Sequence, residues 1–378
     1  IALEDSAARS EVVEYDRKIR EPALVLNQEN KSAADAEVNQ TVVEAGTKPD
    51  GTGFKVGYID LPSFYMDMEA ASKNSDSFRS TTRDVRRILT EFKRAGVDAV
   101  VLDLSRNGGG SLTEAINLTG LFIDRGPVVQ VKNPAGQVQV YEDEEPGVAW
   151  DGPLVVLTSK ESASASEILA GAIQDYGRGI VVGDPTTHGK GTVQSLYDLG
   201  QQLTGGAYEM GALKITIQQF YLPAGKSTQR QGVLSDIVLP QITAEIDNGE
   251  ADLDFSLPHD TISPSRFSKY NMVNSTLLNN LRTRSGERVR QCEGFDRVLK
   301  RMELYRNQKE EEFISLNRDV YLRRRAEVDA QREEEEQMLD SQIPKKEVFR
   351  NDYYHREVLE IAKDYFDALR EMSLVKAG

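Results

Sequence analysis

The chain has 378 residues and a net charge of −15, from 61 acidic and 46 basic side chains. A negative charge of this size argues against nucleic acid as a partner, because phosphate backbones attract basic surfaces. One cysteine, Cys292, and three scattered histidines predict neither an internal disulfide nor a metal site, and no apolar run reaches the roughly 18 residues of a membrane span.

The N-terminal segment, residues 1–53, is mostly polar, and its stretch "NQENKSAADAEVNQ" is typical of a loop or a solvated strand pair. The first residue is Ile1 rather than Met, which we interpret as a processed chain or a fragment. A strand is expected over 55–61, where the sequence becomes more apolar.

Alternating helices and strands follow. Apolar residues at helical spacing predict a helix over 81–94, and Gly96 stands where a C-cap glycine belongs. The run "VDAVVLDL" (97–104) is typical of a strand buried on both faces. Next come a glycine-rich turn, a helix over about 112–122, a hairpin across "NPAG", a strand in "GPLVVLTS", a helix over about 164–176 and a strand in "GIVVGD". This alternation predicts crossover units and an α/β core.

The character of the chain changes after "DIVLP" (236–240), where an acidic stretch with several prolines begins. We place a domain boundary near Gln241 and predict three parts: 1–53, 54–240 and 241–378. Two helical patterns support a helical last part, with apolar faces formed by Phe295, Val298, Leu299, Met302 and Tyr305 and by Val358, Ile361, Ala362, Tyr365 and Leu369. We expect this part to be removable without loss of the core. The charge run "RRRAEVDAQREEEEQ" is typical of a solvated helix or a mobile link.

The stretch "KESASASEIL" places serines at 162, 164 and 166, just where a helix is predicted to begin. Ser164 and Glu167 fit a capping box, in which both side chains satisfy free backbone N–H groups of the first turn. A nucleophile at a helix N-terminus is the other interpretation, because the N–H of Ala165 and the positive end of the helix dipole lie beside it. The local pattern leaves both interpretations open.

Two other segments could supply further parts of an acyl-transfer site. The stretch "DLSRNGGGSL" follows a buried strand, and its backbone N–H groups could receive an oxyanion, although an ordinary tight turn has the same pattern. In "PTTHGKGTVQ", Lys190 lies between two glycines but lacks the Walker frame. To act as a general base it would need a pKa lowered by burial, from about 10.4 to about 7–8.

These segments, together with "ALKITIQQFYLPAGKSTQRQGVLSDIVLP", have the order and spacing found in the carboxy-terminal processing proteases, the tail-specific peptidases of the S41 class. The resemblance is strong over 54–240, and the large periplasmic type is similar because it also carries a helical C-terminal extension. It implies a crotonase/ClpP-like α/β spiral followed by a C-terminal helical domain. It also implies cleavage of proteins with exposed, apolar, unstructured C-termini in the bacterial periplasm, without metal or nucleotide. An adaptor protein is a further candidate partner.

The resemblance also assigns site residues. It implies that Ser164 is the nucleophile and Lys190 the general base, with Gln194 orienting the lysine. In other members the third group corresponds to Asp175. Since Asp175 follows Ser164 by eleven residues of helix, about 16 Å at 1.5 Å per residue, we expect Asp175 to act structurally or through other residues.

The oxyanion donors implied by the resemblance are the N–H of Ala165 and that of a motif glycine, Gly110 with Gly109 beside it. Two departures from the family pattern are present. The arginine of the glycine motif is one place late, at Arg106, with Ser105 in its slot, and "PTTHGK" is one residue longer than usual. The 53 residues before the core are too few for a PDZ module, so we interpret the chain as a fragment that lacks its substrate-presenting domain.

Two alternatives compete with this interpretation. Ser164, Asp175 and His188 occur in the chain order Ser…Asp…His of α/β-hydrolases, although a G-x-S-x-G elbow is missing. A catalytically inactive, peptide-binding homologue is the second alternative. Both alternatives differ from the Ser/Lys hypothesis in the effect on activity that they predict for replacement of Lys190 or His188.

Overall fold

The computed structural model describes residues 38–48, 51–67, 78–206, 208, 210–310, 317–323, 325–326 and 348–372. The strands are Asn39–Thr47 (β1), Gly53–Asp60 (β2), Ala99–Asp103 (β3), Gly126–Lys132 (β4), Val138–Asp143 (β5), Leu154–Thr158 (β6), Ile180–Gly183 (β7), Thr192–Asp198 (β8), Ala212–Tyr221 (β9) and Ile237–Val238 (β10). The α-helices are Thr81–Ala95 (α1), Leu112–Gly120 (α2), Ala165–Asp175 (α3), Leu199–Thr204 (α4), Ser275–Gln291 (α5), Glu293–Glu310 (α6) and Tyr353–Glu371 (α7).

A six-stranded sheet with the order β1-β2-β3-β6-β7-β10 forms the centre of the fold. Only the β1–β2 pair is antiparallel, and the other neighbours run parallel. Every residue of β3, β6 and β7 is buried, as expected for continuous apolar strands covered on both faces. The predicted alternation of strands and helices is confirmed, with bounds within two residues of the expected ones.

Helices α1, α2 and α3 cover one face of this sheet, which we call the front face. Helix α1 begins at Ser80, whose hydroxyl accepts a hydrogen bond from Arg83 N, and ends at Gly96 in the left-handed conformation, with φ 68°. Its four predicted apolar residues are all buried against the sheet. Burial of this stripe, rather than helix propensity alone, is what fixes a helix of this length in place.

The C-terminal helices α5, α6 and α7 cover the opposite face, which we call the back face. The ring centroids of Phe54 in β2 and Phe366 in α7 lie 5.2 Å apart, and those of Tyr58 and Phe349 lie 5.3 Å apart. The predicted apolar face of α7 is fully buried in this layer. The helices and the sheet share one core, which argues against the expectation that the helical part is removable. The division of the chain near Gln241 stays a prediction.

The predicted face of α6 is only partly buried. Phe295 and Met302 are buried, whereas Leu299 and Tyr305 are 45% and 36% exposed. The helical part beyond residue 241 is confirmed as helical. The expectations for residues 1–37 and for most of the charge run at 323–337 lie outside the described residues.

A second, antiparallel sheet has the strand order β5-β4-β9-β8. The predicted "NPAG" turn joins β4 to β5, with Gly136 N donating to Asn133 O at 2.9 Å. Strand β8 lies at the edge of this sheet and directly follows the loop that carries Lys190. The expected class, an α/β core followed by a helical region, is confirmed. No helix within the described ranges is both long and apolar enough to cross a bilayer.

Candidate active site

The three serines of the "SASAS" stretch have different environments. Ser162 is buried and its hydroxyl donates to Leu104 O at 2.7 Å, and Ser166 is buried and donates to Asn107 O at 2.8 Å. Ser164 is only partly buried, and its hydroxyl forms no hydrogen bond with any residue that the structure describes. Two of the serines therefore hold the loop in place, and the third presents a free hydroxyl.

Ser164 is the N-cap residue of α3, but its hydroxyl does not cap the helix. Instead its backbone N–H donates to Glu167 Oε2 at 2.7 Å, which is the glutamate half of a capping box. The backbone of Ser164 has φ 57° and ψ −109°, a conformation that a residue with a Cβ rarely adopts. Strained backbone of this kind occurs at functional sites where the surrounding structure enforces it.

Asn107 and the glycines after it form the wall opposite Ser164. The Asn107 side chain donates to Leu61 O at 2.9 Å and accepts from Gly109 N at 2.8 Å, and its backbone carbonyl accepts from Ala163 N at 3.1 Å. A Cβ at Gly109 would lie 2.9 Å from both Ala163 O and Ser164 Cβ. Glycine is required there because the two loops approach so closely.

Of the two glycines expected as oxyanion donors, only one has an N–H group without an acceptor among the described residues. The Gly109 N–H is occupied by Asn107, so Gly109 is not available as a donor. The N–H groups of Gly110 and Ala165 have no acceptor among the described residues. Gly110 has φ 148°, and a Cβ there would lie 2.3 Å from Phe64 O, so only glycine fits. The two free N–H groups line the same cavity as Ser164.

Glu167 connects the serine loop to the lysine loop. Its Oε2 accepts from Ser164 N at 2.7 Å and from Lys190 N at 3.0 Å. Its Oε1 accepts from the Thr187 hydroxyl at 2.6 Å and from Gly189 N at 2.7 Å. Burial raises the pKa of Glu167 to about 7, against the opposing effect of these four hydrogen bonds. The sequence pointed to Glu167 only as a cap residue, and its contacts with the lysine loop could not be read from local spacing.

Lys190 lies in the same cavity as Ser164 and is partly buried. Burial lowers the pKa of the Lys190 amine, and the positive charge of Lys214 lowers it further, while Glu250 and Glu167 oppose this. This is the direction that a general base near neutral pH requires. Within the described residues no hydrogen bond joins Lys190 Nζ to Ser164 Oγ, as is common in uncomplexed sites.

The cavity between these groups has a volume of about 210 Å³. Its polar lining comes from Ser164, Lys190, Thr192, Gln194 and Lys214, and its other lining residues are Gly110, Leu112, Ala165, Ile168, Val193 and Phe220. Gln194 reaches the cavity from the extended strand β8 and makes no hydrogen bond to Lys190 in the described part of the chain. A larger cavity of about 510 Å³ beside α1 is lined mainly by arginines and contains none of the expected site residues.

The structure does not bring Asp175 to Ser164. Asp175 is at the opposite end of α3, where its Oδ2 accepts from Ala224 N at 2.7 Å. It makes no hydrogen bond with His188 in the described residues, so the expected Ser-Asp-His alternative is not assembled. The His188 imidazole is partly buried, its pKa is lowered by burial, and its charged neighbours are Glu250, Lys190, Lys160 and Asp252.

The displaced arginine of the glycine motif lies outside the cavity. Arg106 is 58% exposed and forms an ion pair with Asp60 at 3.2 Å. Ser105 contributes its backbone carbonyl, which accepts a short hydrogen bond of 2.5 Å from the Ser159 hydroxyl. Neither residue lines the cavity. Over the ranges that the structure describes, no group of three His, Cys, Asp or Glu residues could hold a metal ion.

A serine hydroxyl without a hydrogen bond to any described residue, two N–H groups without an acceptor beside it and an amine with a lowered pKa in the same cavity are groups that a serine hydrolase needs for acyl transfer. Residues 55–239 match the model of "Peptidase family S41", and residues 243–367 match "C-terminal domain of tail specific protease". The chain belongs to peptidase family S41.

Several known proteins are similar to this chain. It is 36% identical over 286 residues to the tail-specific protease of Haemophilus influenzae, over 74% of this chain and 38% of that protein. It is 31% identical over 198 residues to a chloroplastic C-terminal processing peptidase of Tetradesmus obliquus, over 52% of this chain and 38% of that protein. The chain thus spans less than two fifths of the length of these two relatives.

One solved structure, the photosystem II D1 C-terminal processing protease, is 30% identical in sequence, with a TM-score of 0.44. The match covers 54% of this chain and 48% of that one.

Proposed function

We propose that this chain carries the catalytic site of a serine endopeptidase that uses a Ser/Lys pair. The observation that supports this most directly is the contrast among the three serines. Of the three, Ser164 is the one whose hydroxyl forms no hydrogen bond with any described residue, and Ser164 lines a cavity together with Lys190, Gly110 and Ala165. The Ser164 backbone also has a rarely adopted conformation of the kind that occurs at functional sites.

In the proposed mechanism, neutral Lys190 accepts the proton of Ser164 as Oγ attacks the scissile carbonyl carbon. The oxyanion of the tetrahedral intermediate is held by the N–H groups of Gly110 and Ala165. When the C–N bond breaks, the Lys190 proton passes to the leaving amine, and a water molecule activated by the lysine then hydrolyses the acyl-enzyme. On the family resemblance we assign Gln194, which lines the same cavity, to orienting the Lys190 amine. Asp175 acts as a structural anchor through its hydrogen bond with Ala224 N.

The proposed substrates are proteins with exposed, apolar, unstructured C-termini. The apolar part of the cavity, from Leu112, Ile168, Val193 and Phe220, suits an apolar side chain next to the scissile bond. The relatives from Haemophilus influenzae and Tetradesmus obliquus are named a tail-specific protease and a C-terminal processing peptidase. We also propose a periplasmic location and an adaptor protein as further partner, both on the family resemblance alone.

The central experiment compares Ser164→Ala with Ser162→Ala as the matched control. Cleavage of an unfolded reporter with an apolar C-terminus is expected to disappear in Ser164→Ala, with an unchanged thermal melt. Ser162→Ala loses a buried hydrogen bond, so we expect a stability loss of about 1–3 kcal/mol with cleavage retained in the folded fraction. Residual cleavage by Ser164→Ala above about one part in a hundred would rule out the nucleophile assignment.

A second pair of variants identifies the base. Lys190→Ala is expected to remove activity at every pH, whereas His188→Ala keeps a substantial fraction of it. If the opposite pattern is observed, the base is His188 and the Ser/Lys mechanism is wrong. Wild-type activity should rise with pH through the lowered pKa of Lys190, because only the neutral amine accepts a proton.

A further inference from the structure

The segment 242–252 lies between the loops that carry the two proposed catalytic residues and the C-terminal helices. We call it the strap. It follows residue 239, where the match to the S41 family ends, and contains two short 3-10 turns, Ile242–Glu245 and Glu250–Asp252.

On its inner side the strap contacts the lysine loop. Glu250 N donates to His188 O at 2.8 Å, and Glu250 Oε1 accepts from Gln229 Nε2 at 2.8 Å. Gln229 is fully buried, and its Oε1 accepts from Gly191 N at 2.8 Å. A hydrogen-bonded relay therefore runs from the Glu250 carboxylate through Gln229 to the residue directly after Lys190.

The strap also contacts the serine loop. Lys160, four residues before Ser164, donates from Nζ to Ile246 O at 2.7 Å and lies 3.3 Å from Asp252 Oδ2. A Cβ at Gly249 would lie 3.0 Å from Lys160 Cε, so the backbone packs closely there. One segment thus contacts both loops that carry the proposed catalytic residues.

On its outer side the strap is attached to α6. Arg306 donates to both carboxylate oxygens of Glu245, at 2.8 and 2.5 Å, and Lys309 donates to Asp247 at 2.5 Å. The Glu245 pair is bidentate, which fixes orientation as well as distance. Contacts therefore continue from the C-terminal helices through the strap to the lysine loop.

We propose that Glu250 and Gln229 are positioning residues for Lys190, so that the region after the S41 core completes the surroundings of the catalytic base. This inference rests on the proposed function and deepens it. The relay holds the backbone N–H of Gly191 by a hydrogen bond, and Glu167 holds the backbone N–H of Lys190. The backbone is therefore fixed on both sides of the Lys190 Cα atom. A loop held at both ends keeps the amine within reach of the serine, where a displacement of 1 Å costs about a hundredfold in rate.

The charges that face Lys190 come from several elements. Glu167 belongs to α3, Lys214 to β9 and Glu250 to the strap, and His188 lies two residues before the lysine. The negative charge of Glu250 raises the pKa of Lys190 against burial and Lys214. Removal of that charge alone should therefore lower the pKa of the amine, and the rise of activity with pH should move to lower pH.

The test uses the full chain with three variants and the unfolded reporter as substrate. Glu250→Gln keeps an acceptor for Gln229 but removes the charge, so we expect a plateau kcat near wild type and an acid limb shifted to lower pH. Glu250→Ala removes both the acceptor for Gln229 and the charge. We expect kcat to fall by about tenfold to a hundredfold, with little change in KM. Asp247→Asn is the matched control, because Asp247 belongs to the strap but pairs with the exposed Lys309.

The inference is overturned if both Glu250 variants keep the kcat and pH profile of Asp247→Asn. A second measurement, titration of the Lys190 side chain by NMR with 13Cε-labelled lysine, does not depend on turnover. It should give a lower pKa in Glu250→Gln than in wild type, and an unchanged pKa also overturns the inference. Failure of the proposed function is distinguishable, because there cleavage persists in Ser164→Ala whatever the Glu250 variants do.

Discussion

The two faces of the six-stranded sheet are covered by different kinds of segment. The front face is covered by α1, α2 and α3, which lie between successive parallel strands in the chain. The back face is covered by α5, α6 and α7, which follow all of the strands. Both layers contain fully buried apolar residues, yet all the proposed catalytic groups lie outside the back layer. We therefore expect the sheet to need both layers for stability, whereas the proposed catalytic groups should depend directly on the front layer.

The proposed catalytic groups lie close together because of strand direction. Asn107, Ser164 and Lys190 lie in loops that follow β3, β6 and β7, which are parallel neighbours in the sheet. The carboxyl ends of parallel strands meet at one edge, where open α/β sheets place their ligands. Residues far apart in the sequence are brought together there. The strap joins the back layer to this edge.

Removal of the back layer is the strongest test of whether the sheet needs both covering layers. A variant that ends at Pro240 would expose the apolar back face of β2, β3 and β6, so we expect an insoluble or molten product. Near-UV circular dichroism, a thermal melt and dye binding would detect the loss of fixed packing. A variant that ends at Met372 is the control and should melt cooperatively. A cooperative melt of the shorter variant would mean that the sheet is stable with one layer.

A single substitution in the same layer should lower the free energy of unfolding without abolishing the fold. Ile361→Ala in α7 removes a fully buried side chain, so we expect a loss of about 2–5 kcal/mol in the free energy of unfolding. Activity of the folded fraction should be retained, since Ile361 is outside the catalytic edge. Leu299→Ala in α6 is the control, because Leu299 is 45% exposed and should change stability by about 0.5 kcal/mol or less. Denaturant unfolding measures both, and equal losses would contradict the assigned packing.

On the front face, Glu167→Gln should affect activity more than folding. An amide has one acceptor oxygen where the carboxylate accepts four hydrogen bonds, so donors on the serine or lysine loop lose their partners. We expect kcat to fall by about a hundredfold, and stability by about 1–3 kcal/mol for each donor left unpaired. Glu161→Gln, at an exposed neighbouring position, is the control. A variant with normal kcat would show that the two loops hold their geometry without Glu167.

Much of the front layer could be predicted from the sequence, because each helix and strand there has a local signal. The apolar stripe of α1, the continuous run of β3 and the S-x-x-E motif at Ser164 are examples. The back layer was predicted as helical, but its packing partner was not. An apolar helix face such as that of α7 indicates that something covers it and does not indicate which surface does.

In the candidate site, too, local sequence signals were predictive and contacts between distant segments were not. The order of the motifs pointed to Ser164 and Lys190, whereas the roles of Glu167 and Asn107 depend on contacts between loops distant in the sequence. Gly109 was expected beside Gly110 as an oxyanion donor, yet its N–H is used by the Asn107 side chain. Strands β8 and β9, which carry Gln194 and Lys214, were not predicted as a hairpin. Tertiary contacts of this kind leave no periodic trace in the sequence.

The smallest expected effect concerns Lys214, which reaches the cavity from the second sheet rather than from either layer. Its positive charge destabilises the protonated form of Lys190 and so lowers the pKa of that amine. In Lys214→Met the pKa of Lys190 should rise, a smaller fraction of the amine is neutral at a given pH, and the acid limb of kcat should move to higher pH. This is the opposite direction from Glu250→Gln. Lys226→Met, at an exposed position near Asp175, is the charge-matched control and should leave the limb in place. An unchanged limb in Lys214→Met would mean that solvent screens the two amines from each other and that burial alone lowers the pKa of Lys190.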